Sequence, residues 1–301
     1  MTKWIVAVST LALMWIPQAP PRTDVYVAPL STTDGRLMMG KPENISASPG
    51  YDNQPFFTPD GEALLLTSAR GSTNSACGSP QTDIYRYDLN ARVLTQVTDT
   101  PECEYSPTVT PDRGISTIRV EADGTQRLWR FDSSGKNPSL VLADIKPVGY
   151  HAWLDDRTVA LFVLGKPATL QVANTSTGKG EIVARNIGQS ILRMPGGGIS
   201  FVQQAGTGAE GTLTVTGLTV ENGKPSVEPL TAVVPGDSQA HLAWTPDGTL
   251  LMAHDGRLHA WRAGTSSWQP IADLTVLGLA NVTRLAVSPK GDRIAIVAVP
   301  E

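Results

Sequence analysis

The sequence predicts an all-β fold: a six-bladed β-propeller of four-stranded blades, closed by joining N-terminal outer strands to C-terminal inner strands. Three observations carry that expectation. A Pro-Asp-Gly-type turn between two apolar strands recurs six times along the 301 residues. An alternating strand follows most of the copies. The two incomplete copies stand at opposite ends of the chain. Composition agrees, because 28 Gly and 23 Pro punctuate segments rich in Val, Thr, Leu and Ile, a strand-and-turn balance. Outside the N-terminus no convincing helix-period stretch interrupts it, which excludes a two-domain α/β reading.

The first element is not part of the ring. Lys3, an apolar run from Trp4 to Ile16, and then Pro and small residues match the charged and apolar regions of a secretory signal, assigned to residues 1–20. The run is short for a transmembrane span. Gln18-Ala19-Pro20 is not a clean cleavage site, and no Cys follows the run to serve as a lipoprotein anchor. The expectation is a periplasmic or secreted protein with no stable membrane insertion after signal cleavage.

The propeller is assigned to 24–301. Its first halves read FFTPDGEALLLTS, TVTPDRGISTIRV, AWLDDRTVALFV, LRMPGGGISFVQ, AWTPDGTLLMAH and LAVSPKGDRIAIVA. Anchored on Pro59, Pro111, Asp155, Pro195, Pro246 and Pro289, the steps are 52, 44, 40, 51 and 43 residues, the period of a four-stranded blade. In T-P-D-G, Pro presets φ, Asp bonds nearby backbone N–H groups and Gly accepts positive φ. The copies at Asp155-Asp156-Arg157 and Pro195-Gly196-Gly197-Gly198 are degenerate. Second halves follow as DIYRYDL, RLWRFD, TLQVANT, TLTVTGL and RLHAWRA, each alternating as a half-buried strand does. DVYVAPL from Asp24 has no first half before it, and the copy at Leu285 has no second half after it. Joining the two makes one blade and leaves no free edge.

These turns, each with its partner strand, resemble the WD40-like (PD40) propeller repeats of the TolB family, from about Asp24 to Glu301. The resemblance implies the propeller alone, without the N-terminal α/β domain that TolB carries, and it implies no particular activity.

In such a blade the Pro-Asp-Gly turn lies on one face. The loop between the second and third strands lies on the other, as does the link to the next blade. Cys77 falls in one such loop and Cys103 in the adjacent link. A disulfide between them is therefore expected in preference to two free thiols, which suits an oxidising compartment. The links also lead into the channel-lining strands. They bring Tyr51, Asp52, Asn53, Gln54, Glu102, Glu104, Tyr105, Tyr150, His151, Gln189, Gln239, His241, Asn281 and Arg284 toward one channel mouth, a candidate surface for a ligand or partner. Trp129, Trp153, Trp244 and Trp261 fall on strand positions and read as packing.

Charge narrows the function. With 24 Lys+Arg against 28 Asp+Glu the net charge is −4, and no basic stripe is present, so nucleic acid is excluded as a partner. Gly206 to Gly211 fits G-x-G-x-x-G but leads into a strand, not the helix that a dinucleotide requires. There is neither a G-x-S-x-G elbow nor H-E-x-x-H, and no catalytic set is assigned. His254 and His259 flank an Asp-Gly turn as hairpin residues. His151 and His241 with Glu104 have the types of a metal site but no diagnostic spacing. Asp52, Glu102, Glu104 and Asp237 suit calcium by type, and no other cofactor is expected. The reading is a binding or scaffolding module for an envelope or extracellular protein, peptide or glycan, held at the channel mouth or loop rim. Its rival is a metal-assisted hydrolase, lactonase or lyase on the same mouth.

Overall fold

The computed structural model describes residues 21–71, 76–77, 80–205 and 212–300. The segment expected to be a secretory signal, residues 1–20, and the G-x-G-x-x-G stretch lie outside these residues. Those described form strands and turns with no helix. Six antiparallel sheets make the ring. Blade one is Asp52–Phe57, Ala63–Ser68, Asp83–Asp88 and Val93–Gln96; blade two is Cys103–Val109, Ile115–Val120, Gln126–Phe131 and Ser139–Leu140. Blade three is Val148–Trp153, Thr158–Val163, Thr169–Asn174 and Lys179–Arg185; blade four is Ile187–Arg193, Ile199–Ala205, Thr212–Glu221 and Lys224–Ala232. Blade five is His241–Trp244, Leu250–His254, Arg257–Trp261 and Gln269–Asp273.

Blade six closes the ring as the sequence predicts. Ala280–Val287 and Arg293–Val299 form its inner half, and Asp24–Thr33 adds the third strand. The closing register pairs Asp24 with Ala298 and runs to Pro29 with Arg293. The outer position is shared by Arg36–Met39 and the two-residue Glu43–Asn44.

Strand alternation explains the core. Neighbouring side chains on a strand point to opposite faces, so each blade's second strand feeds two interfaces. Leu64 and Leu66 of blade one pack with Val25, Ala295 and Val297 of blade six, while Leu65 packs with Ile115 and Phe131 of blade two. Six apolar clusters result, one for each interface in the ring. A fully buried Leu or Phe contributes roughly 1.5–3 kcal/mol. The interface between blades one and two is the thinnest, with Leu65, Ile84, Ile115 and Phe131 as its buried core.

The turns hold as their chemistry requires. Thr58, Thr110 and Thr245 each donate a hydroxyl to the Asp two residues on, at 2.5 Å in all three. Gly61, Gly248 and Gly291 have φ of +70°, +83° and +71°. In the degenerate copy of blade three, Asp155 replaces the missing Pro and Gly by accepting from the backbone N–H of Arg157 and Thr158, both at 2.8 Å. Two of the tryptophans tie blades together. Trp153 donates to Ser116 Oγ of blade two at 2.9 Å, and Trp244 to Ser200 Oγ of blade four at 2.8 Å. Cys77 and Cys103 are disulfide-bonded with Cα atoms 6.0 Å apart, joining a blade-one loop to the inner strand of blade two.

Candidate functional site at the channel mouth

The inner strands are irregular where they begin. Pairing to the second strand shifts register between Asn53 and Phe56, Tyr105 and Thr108, Val148 and Tyr150, Ile187 and Ile191, and Ala280 and Arg284. Gln54, Ser106 and Asn281 take positive φ at three of these points, between +48° and +56°, and Ala240 does so at +51° just before the regular inner strand of blade five. A bulge turns the side chain at its position away from the regular alternation. Pro55 and Pro107 are tolerated because an inner strand has a free edge that demands no N–H there.

The bulges converge on one cavity of about 130 Å³. Seven of the fourteen residues expected at the mouth line it: Gln54, Tyr150, His151, Gln189, Gln239, His241 and Arg284. Gln54 serves both cavity and frame. Its Oε1 accepts from Thr67 Oγ1 at 2.9 Å and from the Ser106 backbone N–H at 2.8 Å, fastening blade one to blade two.

Arg284 crosses the channel. From blade six its Nη2 donates to Tyr150 Oη of the opposite blade at 2.6 Å and to Gln189 Oε1 of blade four at 3.4 Å. Nη1 donates to the carbonyl of Thr283 at 3.1 Å. The guanidinium also lies 5.0 Å from the centroid of the Tyr150 ring, a cation–π contact. Tyr150 in turn donates to Gln189 Oε1 at 3.4 Å. Burial pushes the half-buried Tyr51 phenol well above its ordinary range; Tyr150 and Tyr105 add to that push and Arg284 opposes it.

The two channel histidines are neutral for the same first cause. Burial alone pushes His151 down to about 3. Its Nε2 bonds Ser116 Oγ at 2.7 Å and Thr108 Oγ1 at 2.9 Å, while Nδ1 is buried without a partner. Burial, reinforced by the positive charge of Arg284, brings His241 to about 4. Gln239 and His241 also border a second cavity of about 400 Å³, with Asn281, Asp237 and His254. There His254 Nδ1 meets Asp237 Oδ2 at 2.9 Å.

The remaining expected residues lie off the central cavity. Asp52 is fully buried, pairing with Arg70 at 2.7 Å and accepting from Ser48 Oγ at 2.9 Å. Asn53 donates to Thr283 Oγ1 at 3.4 Å and accepts from the Gln54 N–H at 2.7 Å. Glu104, also fully buried, accepts from Arg119 Nε at 3.1 Å, Thr100 Oγ1 at 2.5 Å and Thr98 Oγ1 at 3.3 Å. Glu102 lies 3.8 Å from the same arginine. Tyr105 packs against the apolar cluster between blades two and three, and Asn281 borders only the second cavity. Thus the links gather polar residues as expected, but the pleat and bulges divide them between channel and blade interior. The four carboxylates matched to calcium occupy separate settings: Asp52 with Arg70, Glu102 and Glu104 with Arg119, and Asp237 with His254. Among the described residues no three His, Cys, Asp or Glu side chains are grouped to hold a metal.

Sequence reasoning missed Ser106, Thr108 and the paired acid Asp83. Ser106-Pro107 occupies the same place in its link as Gln54-Pro55, so aligning the repeats marks it. Asp83, at the head of a strand, gives no local sign that it faces Glu104. Burial pushes Asp83 up to about 6 and Glu104 up to about 7; the Asp83 charge adds to the rise of Glu104, whereas hydrogen bonding to Glu104 opposes the rise of Asp83.

No protein-family model and no curated protein matches the sequence. Solved structures match the fold. TolB of Agrobacterium tumefaciens aligns with a TM-score of 0.64 at 17% identity, covering 92% of this chain and 98% of that one. TolB of Acinetobacter baumannii gives 0.56 at 13% identity over 91% of this chain, which spans 63% of that protein. A gluconolactonase of Xanthomonas campestris gives 0.61 at 8% identity, covering 95% and 99%. At these identities the likeness is one of architecture, and the chain has a TolB-like six-bladed propeller fold.

Proposed function

We propose that this TolB-like propeller is an exported binding module that holds a peptide segment of an envelope or extracellular protein at its channel mouth. The observation that carries the reading is convergence. Gln54, Tyr150, Gln189, Gln239, His241 and Arg284 come from five different blades and line one cavity. A concave site with a few polar and aromatic groups on a rigid frame is where propellers and other folds commonly hold ligands. The Cys77–Cys103 disulfide supports export, since such bonds persist in oxidising compartments.

The test is capture from envelope extract by wild type and by a Gln189→Ala/Gln239→Ala double variant, with a variant on the opposite, Pro-Asp-Gly face (Asp60→Ala) as control. The expected result is that the mouth variant loses a partner that both other proteins retain. If the mouth variant keeps every partner of the wild type, the mouth is not the binding surface.

A further inference from the structure

We propose that the channel throat is a carboxylate-recognition site anchored by Arg284, and that it takes one acidic side chain or the C-terminal carboxylate of the bound peptide. The inference rests on the binding-module reading and names the chemistry of its ligand.

The first argument is charge. Among the described residues Arg284 is the one charged side chain in the cavity wall. Other buried or half-buried arginines of this protein have acids: Arg119 has Glu104, Arg70 has Asp52, and Arg127 has Glu121. Arg284 has no carboxylate within ion-pair distance among the described residues; its partners are a phenol, an amide oxygen and a backbone carbonyl. A guanidinium is always charged, and taking a charge from water without a counter-charge is unfavourable. A site that keeps one is complementary to an anion that arrives from outside.

The second argument is geometry. A guanidinium has five N–H donors, and three are engaged within the protein. Two remain for a ligand. The contacts to Thr283, Tyr150 and Gln189 hold the group in place before binding, which lowers the ordering cost of recognition. The free donors are Nε–H and one Nη1–H; with both Nη2 hydrogens engaged they make no parallel fork, so a carboxylate is held by single charge-assisted N–H···O bonds.

The third argument is valence and size. His241 adds a neutral ring N–H and Gln239 an amide to the same wall, so the site has donors in plenty but one positive charge. That balance suits a monoanion over a dianion such as phosphate. The cavity, about 130 Å³, is well below the ~300–1,000 Å³ of pockets that enclose a small molecule whole. It accepts the tip of something larger, and a peptide carrying a carboxylate is such a ligand.

The experiment uses the exported full-length protein and three capped hexapeptides of Ala and Gly: one with a free C-terminus, one amidated with a central Glu, and one amidated with a central Gln. Binding is followed by chemical shifts at Tyr150 and His241, with acetate and inorganic phosphate as further probes. Binding of at least one acid peptide but not the Gln peptide is expected, and which acid binds distinguishes terminus from side chain. Arg284→Gln should weaken that binding at least tenfold, and Arg284→Lys should restore part of it. Equal binding of the Gln peptide, phosphate binding tighter than acetate, or an unchanged affinity in Arg284→Gln would overturn the proposal. If Arg284→Gln does not fold, Arg284→Lys decides alone: unchanged affinity for the acid peptide overturns a guanidinium-specific site, and a clear loss supports it. The envelope capture separates the two readings. A partner lost in Gln189→Ala/Gln239→Ala but kept in Arg284→Gln leaves the binding module standing and removes the carboxylate.

Discussion

The junction of blades one and two and the channel throat are built from the same kind of sequence, the polar links between blades, yet they handle charge in opposite ways. At the junction Arg119 is sealed between Glu104 and Glu102, with its guanidinium 4.5 Å from the Trp129 ring centroid and 5.2 Å from that of Phe131. The Cys77–Cys103 bond lies beside this network. The apolar cluster there is the thinnest in the ring, so ion pairing and a covalent link supplement what hydrophobic burial supplies elsewhere. In the throat Arg284 bonds neutral oxygens and lies against the Tyr150 ring, with no carboxylate within ion-pair distance among the described residues. Saturated charges stabilise a joint, and an unsaturated one is available to a ligand.

The sharpest way to break this contrast is to remove one acid from the junction. Glu104→Ala removes the acceptor of Arg119, Thr98 and Thr100 and leaves Arg119 the longer contact to Glu102 at 3.8 Å; it is expected to cost about 3 kcal/mol, the lower end of the penalty for breaking a buried pair. Arg284→Gln is expected to cost less than about 1 kcal/mol, because it strands no charge. Equilibrium denaturation of both variants compares them directly; equal losses would mean that Arg284 is a structural strut like Arg119.

The disulfide comes next. It closes a loop of 26 residues, for which chain entropy gives roughly 3.5 kcal/mol. Cys77→Ser/Cys103→Ser should lower the denaturation midpoint accordingly while leaving the shifts of Tyr150 in the throat unchanged. Movement of those shifts would show that junction and throat are one unit.

The smallest expected effect is on pH. Burial raises Asp83 from 3.8 to about 6 and Glu104 from 4.5 to about 7, so the folded chain holds these protons more tightly than the unfolded one. Their contribution to stability is complete below about pH 4 and is lost as pH rises through 6 to 7. His151 works in the other direction. Its folded value of about 3 lies below the ordinary 6.5, so its contribution is present above 6.5 and lost in acid. The difference in stability between wild type and Glu104→Gln isolates the acid pair. Wild type should lose ground steadily as pH rises from 4 to 7, and a flat difference would show that burial does not raise the two carboxyls.

Much of the fold was legible because its determinants are local. Thr58-Pro59-Asp60-Gly61 contains the φ restraint, the acceptor and the positive-φ residue its turn needs, and Leu64, Leu65 and Leu66 announce a strand buried on both faces. The site was half legible. The links do carry residues into the channel, but Gln54 and Asp52 are two residues apart, and one lines the channel while the other is sealed against Arg70. The bulge between Asn53 and Phe56 makes that division, and no residue pattern in the link announces it. Ser106 had a trace in its following Pro; Asp83 had none.

By itself, then, the sequence determined the blade: turn type, strand alternation and the pairing of the Asp24 strand with the C-terminal strands, all set by interactions within a blade or by the count of halves. The tertiary structure alone decided which polar groups meet. Arg284 and Tyr150 are 134 residues apart and touch only across the finished ring, because closing six blades sets the channel width that brings one side chain within reach of the opposite wall.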